Sequence, residues 1–354
     1  MKRITTLAVL MFAIASMSAQ QIEITPLDNN TSSDDFAPTP TNHGRVLIFS
    51  SAESGEQQLY MMERTSSGWS SANKLRGDVN DGEQVGAAAL TPDGQTMVFS
   101  AFKHDVPGIG RTDLYTAKRK DGKWVDVTNL GGTVNSPAYD AQPAVTADGR
   151  TLYFASDRSG GKGGTDIYVT QWTGSAWSVA RPLEGVNSSA NEMSPVIAAD
   201  GRTLTFASDR SGGTGGYDIY VAKVEGVNAT GVKSAGTPIN TSADELFYTS
   251  IPNSNQAYFT RKGSNGDYEN FMAVPNPFPS EPVTLIEGTV TDAISKDALG
   301  AEITVTDLTT GKAVASLRSD DNTGAYYVTL TPGRMYSITA KKNGYLFHSE
   351  RYDV

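Results

Sequence analysis

Residues 141 to 156, AQPAVTADGRTLYFAS, carry two short apolar runs on either side of Asp148-Gly149. Short apolar runs bounded by turn residues predict strands, and Asp-Gly between two such runs predicts a two-residue hairpin, because glycine accepts positive φ. The arrangement recurs around Asp93-Gly94 and Asp200-Gly201. Behind each hairpin the chain runs through a polar loop into another apolar run, such as IYVTQ. A fourth segment follows, and it contains Trp69, Trp124 or Trp177 in three of the copies. Each copy therefore predicts four short strands.

The copies are in step. Asparagine follows an apolar stretch at Asn30, Asn80, Asn135, Asn187 and Asn240, at spacings of 50, 55, 52 and 53. Four strands repeated at this period predict the blade of a β-propeller. The fifth copy, from Asn240 to Val274, has only three strands. The segment QIEITPLDNN near the N-terminus aligns with WSVARPLEGVN, matching Pro26-Leu27 to Pro182-Leu183. It is the expected fourth strand of the last blade, which would pair an otherwise open edge. The expectation is a five-bladed propeller over residues 20 to 274.

Residues 275 to 282 hold Pro275, Pro277, Pro279 and Pro282, a composition that predicts an extended, semi-rigid spacer. From Val283 to Val354 the repeat is lost. Alternation in EITVTD, YYVTL and YSITAKK, with turns at Thr310-Gly311, Thr323-Gly324 and Pro332-Gly333, predicts six or seven short strands in a small β-sandwich. The fold class expected is all-β throughout.

Composition narrows the functional classes. Among 354 residues there are 35 glycines and 16 prolines, which suits turn-rich β-structure. The net charge of −10 and the lack of a basic stripe argue against nucleic acid as a partner. With no cysteine there is no disulfide, thiolate nucleophile or acylated anchor. MKRITTLAVLMFAIASMSAQ has a basic start, a nine-residue apolar run and small residues, the pattern of a secretory signal peptide over residues 1 to 19. No later stretch approaches membrane-span length. The expected location is the periplasm or the outer membrane.

LYFASDRSGGKGGTDIYV and LTFASDRSGGTGGYDIYV resemble the WD40-like repeat of TolB-type propellers. The C-terminal region resembles the carboxypeptidase regulatory-like, transthyretin-like domain. The residues that carry this likeness are Gly288, Val290, Asp292, Ala301, Val305, Asp307, Gly324, Tyr326, Gly333, Tyr336 and Gly344-Tyr345. Together the two parts resemble the front of OmpA-family envelope proteins, including those associated with type IX secretion. That resemblance implies a non-catalytic scaffold with envelope proteins or peptides as partners. Peptidoglycan is implied only where an OmpA-like domain follows Val354.

The loop SGGKGGTD looks like a phosphate loop, but Lys162 is followed by glycine, its twin has Thr214, and a strand comes next rather than a helix. A structural reading fits better. Asp157 and Asp209 are expected to cap their own turns, Arg158 and Arg210 to pair with acids of a neighbouring blade, and Asp113, Asp166, Asp218 and Glu269 to make a repeated hydrogen bond. A second acidic series, Asp35, Asp140, Glu192 and Glu245, falls five residues after the asparagines, with Val85 in its place in the second copy and Glu83 nearby. These acids are expected at one channel mouth, either bonded within their blades or forming a weak cation site. No cofactor is expected.

Glycosidase chemistry needs carboxylates in different environments, whereas these acids are repeat-equivalent. His43, His104 and His348 sit beside no nucleophile pattern. No enzyme is expected, and the alternative is a carbohydrate-binding or carbohydrate-active propeller. The loop AFKHDVPGIGRTD departs most from its siblings, so Phe102, His104 and Ile109 are the expected partner contacts.

Overall fold

The computed structural model describes residues 21–41, 44–92, 94–173, 175–319, 321 and 323–354. The expected signal peptide, His43 and Asp93 of the second hairpin lie outside the described residues.

Five antiparallel sheets follow one another along the chain. The first contains Asp35–Thr41, Val46–Ser51, Gln58–Thr65 and Gly68–Trp69, with Asn73–Lys74 also on its third strand. The second contains Gly82–Leu90, Thr96–His104, Asp113–Lys120 and Lys123–Asn129. The third contains Asp140–Val145, Thr151–Ser156, Asp166–Gln171 and Arg181–Pro182. The fourth contains Glu192–Ile197, Thr203–Ser208, Asp218–Glu225 and Asn228–Ser234. The fifth contains Glu245–Ser250, Ala257–Lys262 and Tyr268–Val274, and its outer strand is Glu23–Pro26 from the other end of the chain. The first strand of each sheet packs beside that of the next, and Glu245–Ser250 packs beside Asp35–Thr41, so the sheets form a closed ring.

Apolar residues glue neighbouring sheets face to face. Ile48 and Leu59 meet Met97 and Phe99 between the first and second sheets. Tyr153 and Val169 meet Leu204 and Phe206 between the third and fourth. Leu27 and Tyr258 meet Leu47 and Phe49 where the ring closes. Each such side chain contributes about 1.5–3 kcal/mol of burial.

Two repeated devices fix the register. The repeat asparagine bonds in both directions to the third strand. Asn187 Oδ1 accepts from Ile167 N at 2.8 Å, and its Nδ2 donates to Ile167 O at 2.9 Å. Asn80, Asn135 and Asn240 do the same at Leu59, Leu114 and Ile219. Asn30 does it to Asn270 across the ring closure. The second device is a bulge in every inner strand. Ala37, Ala87, Gln142, Ser194 and Phe247 all have left-handed backbones, with φ between 41° and 57°. The strand register shifts at each one. A left-handed non-glycine residue costs on the order of 1 kcal/mol, which the surrounding pairings offset.

Beyond the ring, Thr284–Thr289 pairs with Ala325–Leu330, and Lys312–Arg318, Glu302–Asp307, Met335–Lys341 and His348–Asp353 form a second sheet. Ile303, Val305, Val328, Leu330, Tyr336 and Ile338 form one core between the two sheets. The proline-rich segment lies against the ring. Phe278 meets Tyr248 edge-on at 6.0 Å, and Tyr248 Oη donates to Asn276 Oδ1 at 2.7 Å.

Candidate functional site

Each inner strand begins at one end of the ring and finishes at its hairpin turn at the other, so the ring has two unlike mouths. The acidic series stands at the first mouth. Asp140, Glu192 and Glu245 are fully buried, and each is held by a serine or threonine four residues earlier and by an arginine. Glu192 accepts from Ser188 N (2.8 Å), Ser188 Oγ (2.6 Å), Ser208 Oγ (2.8 Å) and Arg210 Nη2 (2.9 Å). Asp140 is held in the same way by Ser136, Ser156 and Arg158. Glu245 is held by Thr241 and by Arg261 Nε at 2.9 Å. Burial holds the Glu245 carboxyl above its usual range, against the pull of Thr241 and Arg261.

The arginines lie over aromatic pairs. Arg158 is 5.1 Å from the Phe154 ring and 4.8 Å from that of Tyr168. Arg210 lies over Phe206 and Tyr220, and Arg261 over Phe259 and Phe271. A partly desolvated cation over such rings gains about 2 kcal/mol. The same guanidinium reaches back to the carbonyls just before the repeat asparagine, as Arg158 does to Val134 O at 2.6 Å and Arg210 to Val186 O at 2.9 Å. Acid, arginine, ring pair and linking carbonyl form one brace within each of these three sheets. The expected pairing with a neighbouring blade does not hold for these two: Arg158 and Arg210 pair with acids of their own sheet, because each follows the strand that lies directly beside the one carrying the acid, whereas Arg111 of the second sheet does reach Asp157 of the third. Among the described residues, no group of three or more His, Asp or Glu side chains is placed to hold a metal ion.

The second sheet has neither acid nor arginine: Val85 and Ala101 stand in the acid and serine places. His104 is the outcome for the brace. Its ring lies 5.8 Å from Phe99 and 5.0 Å from Tyr115, Nδ1 accepts from Val106 N at 3.0 Å, and Nε2 faces Asp78 O at 3.0 Å. The ring thus bonds through both nitrogens, and it occupies the place over the ring pair that arginine takes elsewhere. It is buried. Phe102 is half-buried, with Lys103 5.0 Å above its ring, and Lys103 pairs with Glu83 at 3.0 Å. Ile109 is exposed. Of the three expected contacts, Ile109 and the edge of Phe102 face solvent, while His104 faces the core of its sheet. His348 is exposed beside Glu350, at 2.9 Å.

The glycine-rich loops are close crossings. Asp166 Oδ2 accepts from Lys162 N at 2.8 Å and Gly163 N at 3.1 Å, and Asp218 accepts from Thr214 N and Gly215 N. Asp113 holds Ile109 N and Gly110 N in the same manner. A side chain at Gly163 would run into Ala190 O of the next sheet, and one at Gly215 into Thr241 O and Ala243 O. Lys162 makes only an exposed pair with Glu184 at 3.5 Å. Asp157 and Asp209 cap the entry to the inner strand, accepting from Tyr139 N at 2.8 Å and Asn191 N at 2.7 Å, rather than bonding within their own turns.

The second mouth is covered. A cavity of about 510 Å³ lies between the ring and the C-terminal sheets, walled by Pro38, Pro143, Pro195 and Phe247 on one side and by Leu285 and Tyr327 on the other. Glu281 N donates to Asp200 Oδ2 at 2.9 Å and Asn253 Nδ2 to Val283 O at 2.7 Å, so the cover is tied to two neighbouring sheets.

No protein-family model matches the chain, and no curated protein matches its sequence. Among solved structures it is similar to TolB from Acinetobacter baumannii, with 16% identity and a TM-score of 0.42, covering 70% of this chain and 56% of that one. A thermostable family-43 glycoside hydrolase is similar at 13% identity and a TM-score of 0.48, covering 72% of this chain and 98% of the other. An α-L-arabinofuranosidase from Lactobacillus brevis is similar at 14% and 0.44, covering 70% and 95%. The chain thus spans just over half of the Acinetobacter protein. The ring itself rests on its own strand pairings.

Proposed function

We propose that the protein is an exported, non-catalytic scaffold of the cell envelope, built as a five-bladed TolB-like propeller with a carboxypeptidase regulatory-like sandwich. Its partners are envelope proteins or peptides, in an outer-membrane or secretion assembly. The observation that carries this reading is the fate of the acids. Asp140, Glu192 and Glu245 stand together at one channel mouth, yet each is buried and paired with an arginine of its own sheet. A carboxylate held in that way accepts hydrogen bonds and is withdrawn from proton transfer to a substrate. The surrounding loops are rigid, crossing close to the next sheet at Gly163 and Gly215. A rigid ring of loops on a closed scaffold suits recognition of a protein surface.

Affinity capture from envelope extract, run beside glycan arrays and a glycoside-hydrolysis screen, tests the reading. The expected result is a specific envelope protein retained by the ring and no glycan signal. Glycan binding or hydrolysis without a protein partner would establish the carbohydrate reading instead.

A further inference from the structure

Four of the five sheets place a side chain of their own over their aromatic pair: Arg158, Arg210 and Arg261 in the last three, His104 in the second. In the first sheet no cation lies over the pair among the described residues, and Phe49 is buried. That sheet keeps the ring pair, with Phe49 and Tyr60 stacked at 6.1 Å and 24°, against 6.0 Å and 29° for Phe154 and Tyr168. It keeps the acid, since Asp35 stands opposite Ser51 as Asp140 stands opposite Ser156. It keeps the anchoring bond, Thr31 N to Asp35 Oδ2. The residue two places after the serine, arginine in the third and fourth sheets, is Glu53.

The consequence is an uncompensated site. Asp35 is fully buried, and its Oδ1 has no hydrogen-bond partner among the described residues. Neighbouring Asn29, which precedes the repeat asparagine as Val134 and Val186 do, has both side-chain amide atoms buried and unpartnered, as is Gln58 Oε1. Tyr60 is half-exposed where Tyr168 and Tyr220 are 2% and 6% exposed under their arginines. The second sheet lacks the arginine and the acid alike. Among the described residues, the first sheet alone has the buried mouth carboxylate and the ring pair with no cation between them. A buried charge left without a partner is costly, and an aromatic face beside it favours a flat cation over a compact one.

We propose that Asp35, Phe49, Tyr60 and Glu53 form a binding site for a guanidinium group supplied from outside this chain. Either an arginine side chain of a partner protein or a free guanidino compound carries that chemistry. The inference goes beyond the scaffold reading and stands without it, since the site is defined by comparison with Arg158 and Arg210 inside the molecule.

The test is titration of the full chain with arginine amide, citrulline amide and a capped arginine-containing pentapeptide, followed by calorimetry. Arginine amide is expected to bind with a Kd on the order of 1 mM, and the neutral citrulline isostere about tenfold more weakly or not at all. Asp35→Asn should abolish the binding. Glu53→Arg should abolish it too while raising the melting temperature, because the sheet then fills its own site. Glu53→Gln keeps the readout if Glu53→Arg fails to fold, with a several-fold loss expected. Tighter binding of the peptide than of the amide assigns the site to a partner protein, and equal binding assigns it to a free guanidino compound. Absence of saturable binding by arginine amide, equal binding of citrulline amide, or binding unchanged in Asp35→Asn would overturn the proposal.

Discussion

In the fourth sheet Glu192 meets Arg210 at 2.9 Å over Phe206 and Tyr220. In the first, Asp35, Phe49 and Tyr60 keep the same places and Glu53 stands where the arginine would be. The inner three strands pair alike in the two sheets, so they do not need the brace to form. What the brace decides is what the buried carboxylate is bonded to. With arginine present the acid is paired within its own sheet, and burial still holds the Glu245 carboxyl above its usual range. Without it, burial holds the Asp35 carboxyl above its usual range, the Glu53 charge pushes the same way, and the hydrogen bonds from Thr31 pull against both. Ser51 favours the charged form without reaching hydrogen-bond geometry to Oδ1. One repeat, with and without its cation, thus separates the architectural role of these acids from any available for binding.

The largest way to break the comparison is to make the fourth sheet resemble the first. Arg210→Ala leaves Glu192 buried and unpaired and should cost about 3 kcal/mol or more in urea unfolding. Arg158→Ala should behave alike. A loss below 1 kcal/mol would mean that the brace is dispensable. Next comes the repeat asparagine. Asn187→Ala strands the buried N–H and C=O of Ile167 and should cost about 2 kcal/mol. Asn30→Ala should cost as much and also loosen the closure, visible as faster amide exchange along Glu23–Pro26.

A smaller effect sharpens the first sheet itself. A carboxylic acid whose folded pKa is raised destabilises the fold while ionised, and the penalty disappears as pH falls through that raised value toward the unfolded pKa of about 3.9. Asp35→Asn should therefore gain on the order of 1 kcal/mol over the parent at pH 7. The gain should shrink as pH falls through that raised value toward about 4. A gain that does not vary with pH would locate the benefit elsewhere. The smallest effect is in the glycine loop. Lys162→Thr, which makes the third sheet like the fourth, should change stability by less than about 0.5 kcal/mol, as its only ion pair is exposed.

Much of the local structure was legible before any coordinates. Gly149 and Gly201 have positive φ in the turns that Asp-Gly announces, and the apolar runs form the sheets, but each loop holds four residues, between Thr146 and Thr151 or Ala198 and Thr203, instead of the expected two. The alternation in EITVTD and YSITAKK marks strands that share the C-terminal core. Other features left no local signal. Alanine, glutamine, serine and phenylalanine give no hint of left-handed backbone, so the bulges at Ala37, Gln142, Ser194 and Phe247 come from the geometry of the ring. The partners of Arg158 and Arg210 were misplaced because repeat spacing shows which positions are equivalent but not which strands lie within a side chain's reach. In the sequence His104 reads as a partner contact, in the loop that departs most from its siblings. Its role became visible only once the ring pair Phe99 and Tyr115 was found beneath it. The signal in the sequence was the aromatic residue at matching places in all five copies, together with arginine in three of them.

The central claim is that the mouth acids are structural partners of arginine in the braced sheets and a buried, unpaired carboxylate in the first. It is tested most directly by neutralising one acid of each kind and measuring unfolding free energy side by side at pH 7. Glu192→Gln removes half of a buried pair and should destabilise the protein, whereas Asp35→Asn removes an uncompensated charge and should stabilise it. Opposite signs are the predicted result. Changes of the same sign would contradict the account.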